Sequence, residues 1–219
     1  MTNTARLLSQ LQETGVIAVI RSDDSAGLVQ AAEALIKGGI RVLEFTLNTP
    51  DALTLISETR QIFRDEILVG AGTVLTGEDA RNAVDVGAQF IVMPGLDEAI
   101  VRTAKELETA VIPGAFTPTE VLKAWQWGAD MVKIFPASLG GPAYLRALLA
   151  PLSDLRLVPT GGVSATNAGE YIRSGAAAVA VGGNMVSGEV VRSGDFHRLE
   201  DAARQLLAVV AEARTEKLA

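Results

Sequence analysis

Of the five lysines in the chain, Lys37, Lys105, Lys123 and Lys217 fall in stretches with helical spacing or in the tail, whereas Lys133 sits inside the run Met131-Val-Lys-Ile-Phe-Pro136. An amine flanked by apolar side chains is poorly solvated, which disfavours the ammonium and leaves the neutral form that attacks a carbonyl carbon. The same placement fits a lysine that reaches along its strand to solvent, or one paired structurally with a carboxylate. Glu44 ends the apolar run Ile40-Arg-Val-Leu43. Side chains alternate along an extended chain, so Glu44, Thr46 and Asn48 share one face as long as the chain stays extended. A carboxyl there, near an amine, is placed to move protons. The alternative is a plain salt bridge to Lys133, costly to bury without a function.

Two glycine pairs, Gly161-Gly162 and Gly182-Gly183, each follow a short β-branched run. Glycine lets backbone N–H groups approach an anion closely, although glycine pairs also serve tight turns. Arg21, Thr73, Pro94 and Thr160 occupy the equivalent place after or at the end of other such runs. The one histidine, His197, lies at the start of the last helical stretch, and there is no cysteine. A catalytic triad, a thiolate nucleophile and a His- or Cys-based metal site are therefore not expected.

The elements that must hold these residues recur along the chain. β-branched runs cover Val16 to Ile20, Ile40 to Glu44, Ile67 to Gly70, Gln89 to Met93, Ala110 to Ile112, Met131 to Ile134, Leu157 to Thr160 and Ala178 to Val181. Their starts are roughly 20 to 27 residues apart, enough for a strand, a returning helix and two short turns. Helical periodicity fills the gaps at Ser25 to Lys37, Asp51 to Phe63, Asp97 to Leu107, Thr117 to Trp127 and Ala165 to Ser174, with further helices at Met1 to Thr14 and Asp195 to Arg214. Gly38-Gly39, Gly87-Ala88, Gly128-Ala129 and Gly175-Ala176 supply left-handed helix ends before the next strand. Eight βα units in one domain predict a (β/α)₈ barrel, in which chemistry sits at the C-terminal ends of strands. An open doubly wound sheet is the competing architecture, but no Gly-x-Gly-x-x-Gly follows the first run.

A net charge of −7 opposes non-specific attraction to nucleic acid or an anionic membrane, so an anionic ligand must be held locally. With no run of 18 apolar residues and no signal-peptide pattern at the start, no membrane span is expected and the cytoplasm is the expected location.

Taken in order, Gly39-Ile-Arg-Val-Leu-Glu-Phe-Thr-Leu47, Val69-Gly-Ala-Gly-Thr-Val-Leu75, Pro113-Gly-Ala-Phe-Thr-Pro-Thr-Glu120, Val132-Lys-Ile-Phe-Pro-Ala137 and Pro159-Thr-Gly-Gly-Val163 resemble the class I aldolases acting on 2-keto-3-deoxy-6-phosphogluconate, 2-keto-3-deoxy-6-phosphogalactonate and 4-hydroxy-2-oxoglutarate. The resemblance runs from about Gly15 to Gly183. It implies Lys133 as the Schiff-base lysine, Glu44 as general acid/base and Thr73 as a contact to the pyruvyl carboxylate. It further implies Pro94, Phe135, Thr160 and the glycine pairs as pocket residues, no cofactor, a small 2-keto acid substrate with pyruvate as a product, and a homotrimer. The phosphogluconate branch usually has Arg where this chain has Asn48. Asn48 and Arg21 resemble the phosphogalactonate branch, with Arg21 supplying the positive charge. Asn184 stands where many members have Ser. Three functions follow as expectations: cleavage of a 6-phosphorylated 2-keto-3-deoxy sugar acid to pyruvate and glyceraldehyde 3-phosphate, cleavage of 4-hydroxy-2-oxoglutarate to pyruvate and glyoxylate, or a non-catalytic sugar-phosphate-binding barrel.

Overall fold

The structure is a computed structural model that describes residues 2–183, 185–186 and 188–218, so Asn184 lies outside the described residues. Its strands are β1 (Val16–Ile20), β2 (Val42–Thr46), β3 (Leu68–Gly72), β4 (Phe90–Val92), β5 (Ala110–Ile112), β6 (Gly114–Ala115), β7 (Val132–Ile134), β8 (Leu157–Pro159) and β9 (Val179–Val181). The helices are α1 (Asn3–Thr14), α2 (Leu28–Lys37), α3 (Ala52–Phe63), α4 (Gly77–Asp85), α5 (Glu98–Glu106), α6 (Pro118–Gln126), α7 (Gly141–Leu149), α8 (Ala168–Arg173), α9 (Gly188–Ser193) and α10 (His197–Leu218). Every strand pair is parallel. No helix among the described residues is long and apolar enough to cross a membrane.

The expected single closed ring is not what the hydrogen bonds form. A curled six-stranded sheet runs β5-β4-β3-β2-β1-β9, and a separate three-stranded sheet runs β6-β7-β8. The fifth predicted strand forms as β5 with its expected limits, and β6 begins separately after Pro113, which has no N–H to give to a ladder, although its carbonyl still accepts from Lys133 N at 2.9 Å. β8 and β9 meet through the bridge Thr160 to Ala180 and through Ala177 N, which donates to the Leu157 carbonyl at 3.0 Å.

The alternation along the strands separates two apolar regions. Val16, Ala18 and Ile20 of β1 pack outward with the helices, whereas Ile17 and Val19 join an inner cluster with Val42, Leu68, Phe90, Met131 and Val158. Leu7 and Leu11 of α1 belong to that inner cluster and plug it from the N-terminal side of the strands. The parity then decides the site: Glu44 and Thr46 follow Val42 inward, and Lys133 follows Met131 inward.

Local sequence sets the helix boundaries. α4 and α6 begin with capping boxes, Thr76 with Asp79 and Thr117 with Glu120, and Pro118 opens α6 where its missing N–H costs nothing. α2 starts at Leu28 rather than Ser25 because Gly27 is left-handed, with φ 76°. At the end of α2, Gly39 (φ 104°) takes the left-handed turn while Gly38 stays right-handed.

Candidate active site

At the C-terminal ends of the strands lies a cavity of about 380 Å³ lined by Arg21, Glu44, Thr46, Asn48, Thr73, Pro94, Lys133, Phe135, Thr160, Gly161, Gly162, Gly182 and Gly183. The residues expected to line the site, Asn184 aside, thus meet around one space. Val19, Val163 and Ala180 complete the wall. Val19 and Ala180 were not anticipated, although strand parity with Arg21 and Gly182 pointed to them.

The cavity is graded in depth. Glu44, Thr46, Lys133 and Thr160 are buried and form the floor. Thr73, Pro94, Gly161 and Gly182 are half-buried, and Arg21, Asn48, Phe135, Gly162 and Gly183 are exposed at the rim. β2 ends at Thr46 and turns at Leu47, so Asn48 reaches the rim from a turn and not from an extended strand.

Lys133 is the central residue of β7, hydrogen-bonded in register between Gly114 and Val158. Its Nζ lies 5.0 Å from the centroid of the Phe135 ring, which helps fix the amine's position. Glu44 is 1% exposed, and among the described residues neither of its carboxylate oxygens has a hydrogen-bond partner. It is therefore not tied to Lys133 as a hydrogen-bonded salt bridge. Burial pushes its carboxyl above the ordinary carboxylate range, and the Lys133 charge pulls in the opposite direction. A buried carboxyl with no hydrogen-bond partner among the described residues, near a buried amine, is placed to give and take protons.

This placement has a cost that is measurable as stability. The folded protein holds the Glu44 proton at pH values where the unfolded chain has released it, so stability falls as pH rises from the ordinary carboxylate value through the raised one. Glu44→Gln removes that fall. The melting temperature of the variant is expected to exceed that of the wild type by a margin that widens from about pH 4.3 upward, with roughly 2–4 °C for each kcal/mol recovered. Parallel melting curves across that range would contradict the raised carboxyl.

Around this pair the backbone is specialised. Thr73 follows β3 with φ 55°, a conformation that costs a β-branched residue on the order of 1–3 kcal/mol. Gly161 and Gly162 are consecutive left-handed residues, φ 89° and 77°, with Gly161 against the Phe135 ring. The hydroxyl of Thr46 is shared with Thr49 at 3.2 Å, and Thr160 Oγ1 donates to the Val158 carbonyl at 3.3 Å. Arg21 makes no hydrogen bond or ion pair among the described residues, leaving its guanidinium available to an anion at the rim. His197 is exposed at the start of α10, away from this cavity.

The chain as a whole is similar to known proteins. The family model described as "Aldolase: KDPG and KHG aldolase" matches residues 7–202. The chain is 38% identical over 205 residues to the 2-dehydro-3-deoxy-phosphogluconate aldolase of Treponema pallidum (strain Nichols), covering 93% of this chain and 97% of that one. Among solved structures it is similar to the KDPG aldolase of Legionella pneumophila with pyruvate captured at low pH as a covalent carbinolamine, at 30% identity, TM-score 0.83, and 91% and 97% coverage. A native KDPGal structure gives 31% identity, TM-score 0.82, and 91% and 96% coverage. With the family model spanning nearly the whole strand-and-helix array and relatives this similar along almost their full length, the chain belongs to the KDPG and KHG aldolase family.

Proposed function

We propose that this chain is a class I aldolase that reversibly cleaves a 2-keto-3-deoxy-6-phospho sugar acid to pyruvate and glyceraldehyde 3-phosphate. The observation that carries the reading is the pairing, on the floor of one cavity, of a strand-borne lysine and a buried carboxyl with no hydrogen-bond partner among the described residues. The relative that holds pyruvate as a carbinolamine supports covalent chemistry at an amine.

In this reading the neutral amine of Lys133 attacks C2 of the substrate, and the former carbonyl oxygen takes a proton to give a carbinolamine. Glu44 donates the proton with which water leaves, producing an iminium. Glu44 then accepts the C4 hydroxyl proton as the C3–C4 bond breaks; the bond electrons flow to the iminium nitrogen, leaving an enamine and releasing the aldehyde. A proton returned to C3 and addition of water free pyruvate and Lys133. Thr73 and Arg21 orient the substrate carboxylate. Gly161, Gly162, Gly182 and Gly183 receive the distal phosphate at the rim, while Thr46, Asn48, Pro94, Phe135 and Thr160 shape the space between. The scheme uses no metal and no cofactor. A non-catalytic binding barrel would have no use for the buried Lys133 and Glu44 together.

We also take the chain to work as one domain of (β/α)₈ type and to assemble as a homotrimer in the cytoplasm. The continuous outer apolar cluster, which joins residues from Val16 to Ala213, supports one domain. Exposed Leu75 and Leu139, at 62% and 75%, support burial against another subunit. Light scattering of the purified protein tests the subunit number.

Pyruvate release from the phosphogluconate-type and phosphogalactonate-type substrates and from 4-hydroxy-2-oxoglutarate, compared as kcat/KM, tests the substrate assignment; preference for the unphosphorylated compound would overturn it. Arg21→Ala is expected to lower kcat/KM about 10- to 100-fold, mainly through KM, as a charge-assisted hydrogen bond of about 1.5–3 kcal/mol is lost. Asn48→Arg is expected to act more mildly and to shift the kcat/KM ratio between the two C4 epimers, since the longer cation reaches the carboxylate and crowds the C4 hydroxyl. An unchanged KM in the first variant and an unchanged epimer ratio in the second would remove this account of recognition.

A further inference from the structure

We infer that Gly72 is a positioning residue for Glu44: the missing side chain at the end of β3 is the socket that holds the carboxylate on the floor of the cavity. The inference rests on the acid/base role proposed for Glu44 and adds the element that places it.

β2 and β3 pair with Glu44 beside Gly70 and Thr46 beside Gly72. Leu47 N donates to the Gly72 carbonyl at 2.8 Å, so the two strands are held together at this level and cannot part to make room. A Cβ built on Gly72 would lie 1.8 Å from Glu44 Oε1, 2.5 Å from Cδ and 2.7 Å from Cγ. The carboxylate thus fills the volume that any other residue at 72 would occupy. Two positions back on the same inward face, a Cβ on Gly70 would lie 2.5 Å from the Phe90 ring. The two glycines of Gly70-Ala71-Gly72 therefore open two adjacent seats inside the strands, one for an apolar ring and the other for the acid.

The backbone excludes the usual reason for glycine. Gly72 lies outside the left-handed region, so alanine is conformationally acceptable there and only the collision forbids it. Strain enters one residue later, at Thr73 with φ 55°. Moving the Glu44 carboxylate takes it out of line with the amine, and misplacement of about 1 Å costs on the order of 10²-fold in rate.

The test is a double-mutant cycle on melting temperature and on turnover. Gly72→Ala is expected to lower kcat about 10²- to 10⁴-fold, the scale of a lost acid/base, with a smaller change in KM and a displaced acid limb in the pH profile. Glu44→Ala/Gly72→Ala removes the colliding carboxylate and is expected to recover most of the stability lost in Gly72→Ala. Gly70→Ala, which meets Phe90 instead, should gain no such relief from Glu44→Ala. Glu44→Asp, one methylene shorter, should cost less turnover in the Gly72→Ala background than in the wild type. If Gly72→Ala does not fold, the stability of the double variant decides alone. Additive effects of Gly72→Ala and Glu44→Ala on stability, or a Gly72→Ala enzyme with wild-type kcat and pH profile, would overturn the inference. Wild-type turnover in Glu44→Gln would instead remove the acid/base role while leaving the stability coupling intact, so the two failures are distinguishable.

Discussion

Replacing Lys133 with Met is expected to abolish aldol turnover, with a loss on the order of 10⁶-fold, the scale seen when a covalent nucleophile is deleted, while the protein remains folded. Met keeps an unbranched apolar chain in a position that is 7% exposed and points into the strands, so packing around β7 survives the change. What disappears is the only amine on a strand among the described residues. Lys133→Arg is expected to fail equally, because a guanidinium retains charge and length but does not form an imine at neutral pH. Steady-state pyruvate release together with melting temperature checks both variants. Turnover that survives in Lys133→Met with wild-type KM would show that the chemistry lies elsewhere.

Glu44→Gln is the second large effect. Proton transfers in carbinolamine dehydration, bond cleavage and enamine protonation all pass through this group in the proposed scheme, and a positioned acid/base contributes about 10²- to 10⁴-fold. The expected loss falls on kcat rather than KM, because the carboxyl sits on the floor below the groups assigned to carboxylate and phosphate binding. Imine formation is slowed but not abolished, since the amine is untouched. Chelators are expected to leave the wild type unaffected. Full activity in Glu44→Gln would assign the residue a purely structural role, and activity lost to a chelator and restored by a divalent ion would point to metal-dependent cleavage instead.

Much of the site was legible in the sequence because two simple rules act together. Parity along a strand sends alternate residues to the interior, and a parallel array places its chemistry at the C-terminal ends. Those rules brought Arg21, Glu44, Thr73, Pro94, Lys133 and Thr160, which are far apart in the chain, to one cavity. Strand β1 and strand β5 have the expected limits, while β2 is displaced by two residues because Ile40 and Arg41 belong to the connection from Gly39.

Less legible was what depends on tertiary contact. α4 has only Ala80 and Ala83 buried, too thin an apolar stripe to register as periodicity, and its clearest signal is the Thr76–Asp79 capping box. α7, opening at Gly141-Pro142, was not anticipated either. Closure of the strands is set by the geometry of hydrogen bonds between distant segments, and Pro113 interrupts it in a way that the apolar run Ala110 to Ile112 does not reveal. The seat at Gly72 was likewise hidden: Gly72 lies beyond the predicted run Ile67 to Gly70, and only the position of the Glu44 carboxylate shows what its missing side chain leaves room for.

The central claim is covalent catalysis at one amine, and borohydride reduction of the wild-type protein in the presence of saturating pyruvate tests it most directly. Peptide mass mapping is expected to find one stable pyruvyl adduct per chain, on Lys133, formed only when pyruvate and reductant are both present. An unmodified Lys133 under those conditions, or an adduct carried instead by Lys37, Lys105, Lys123 or Lys217, would contradict the account.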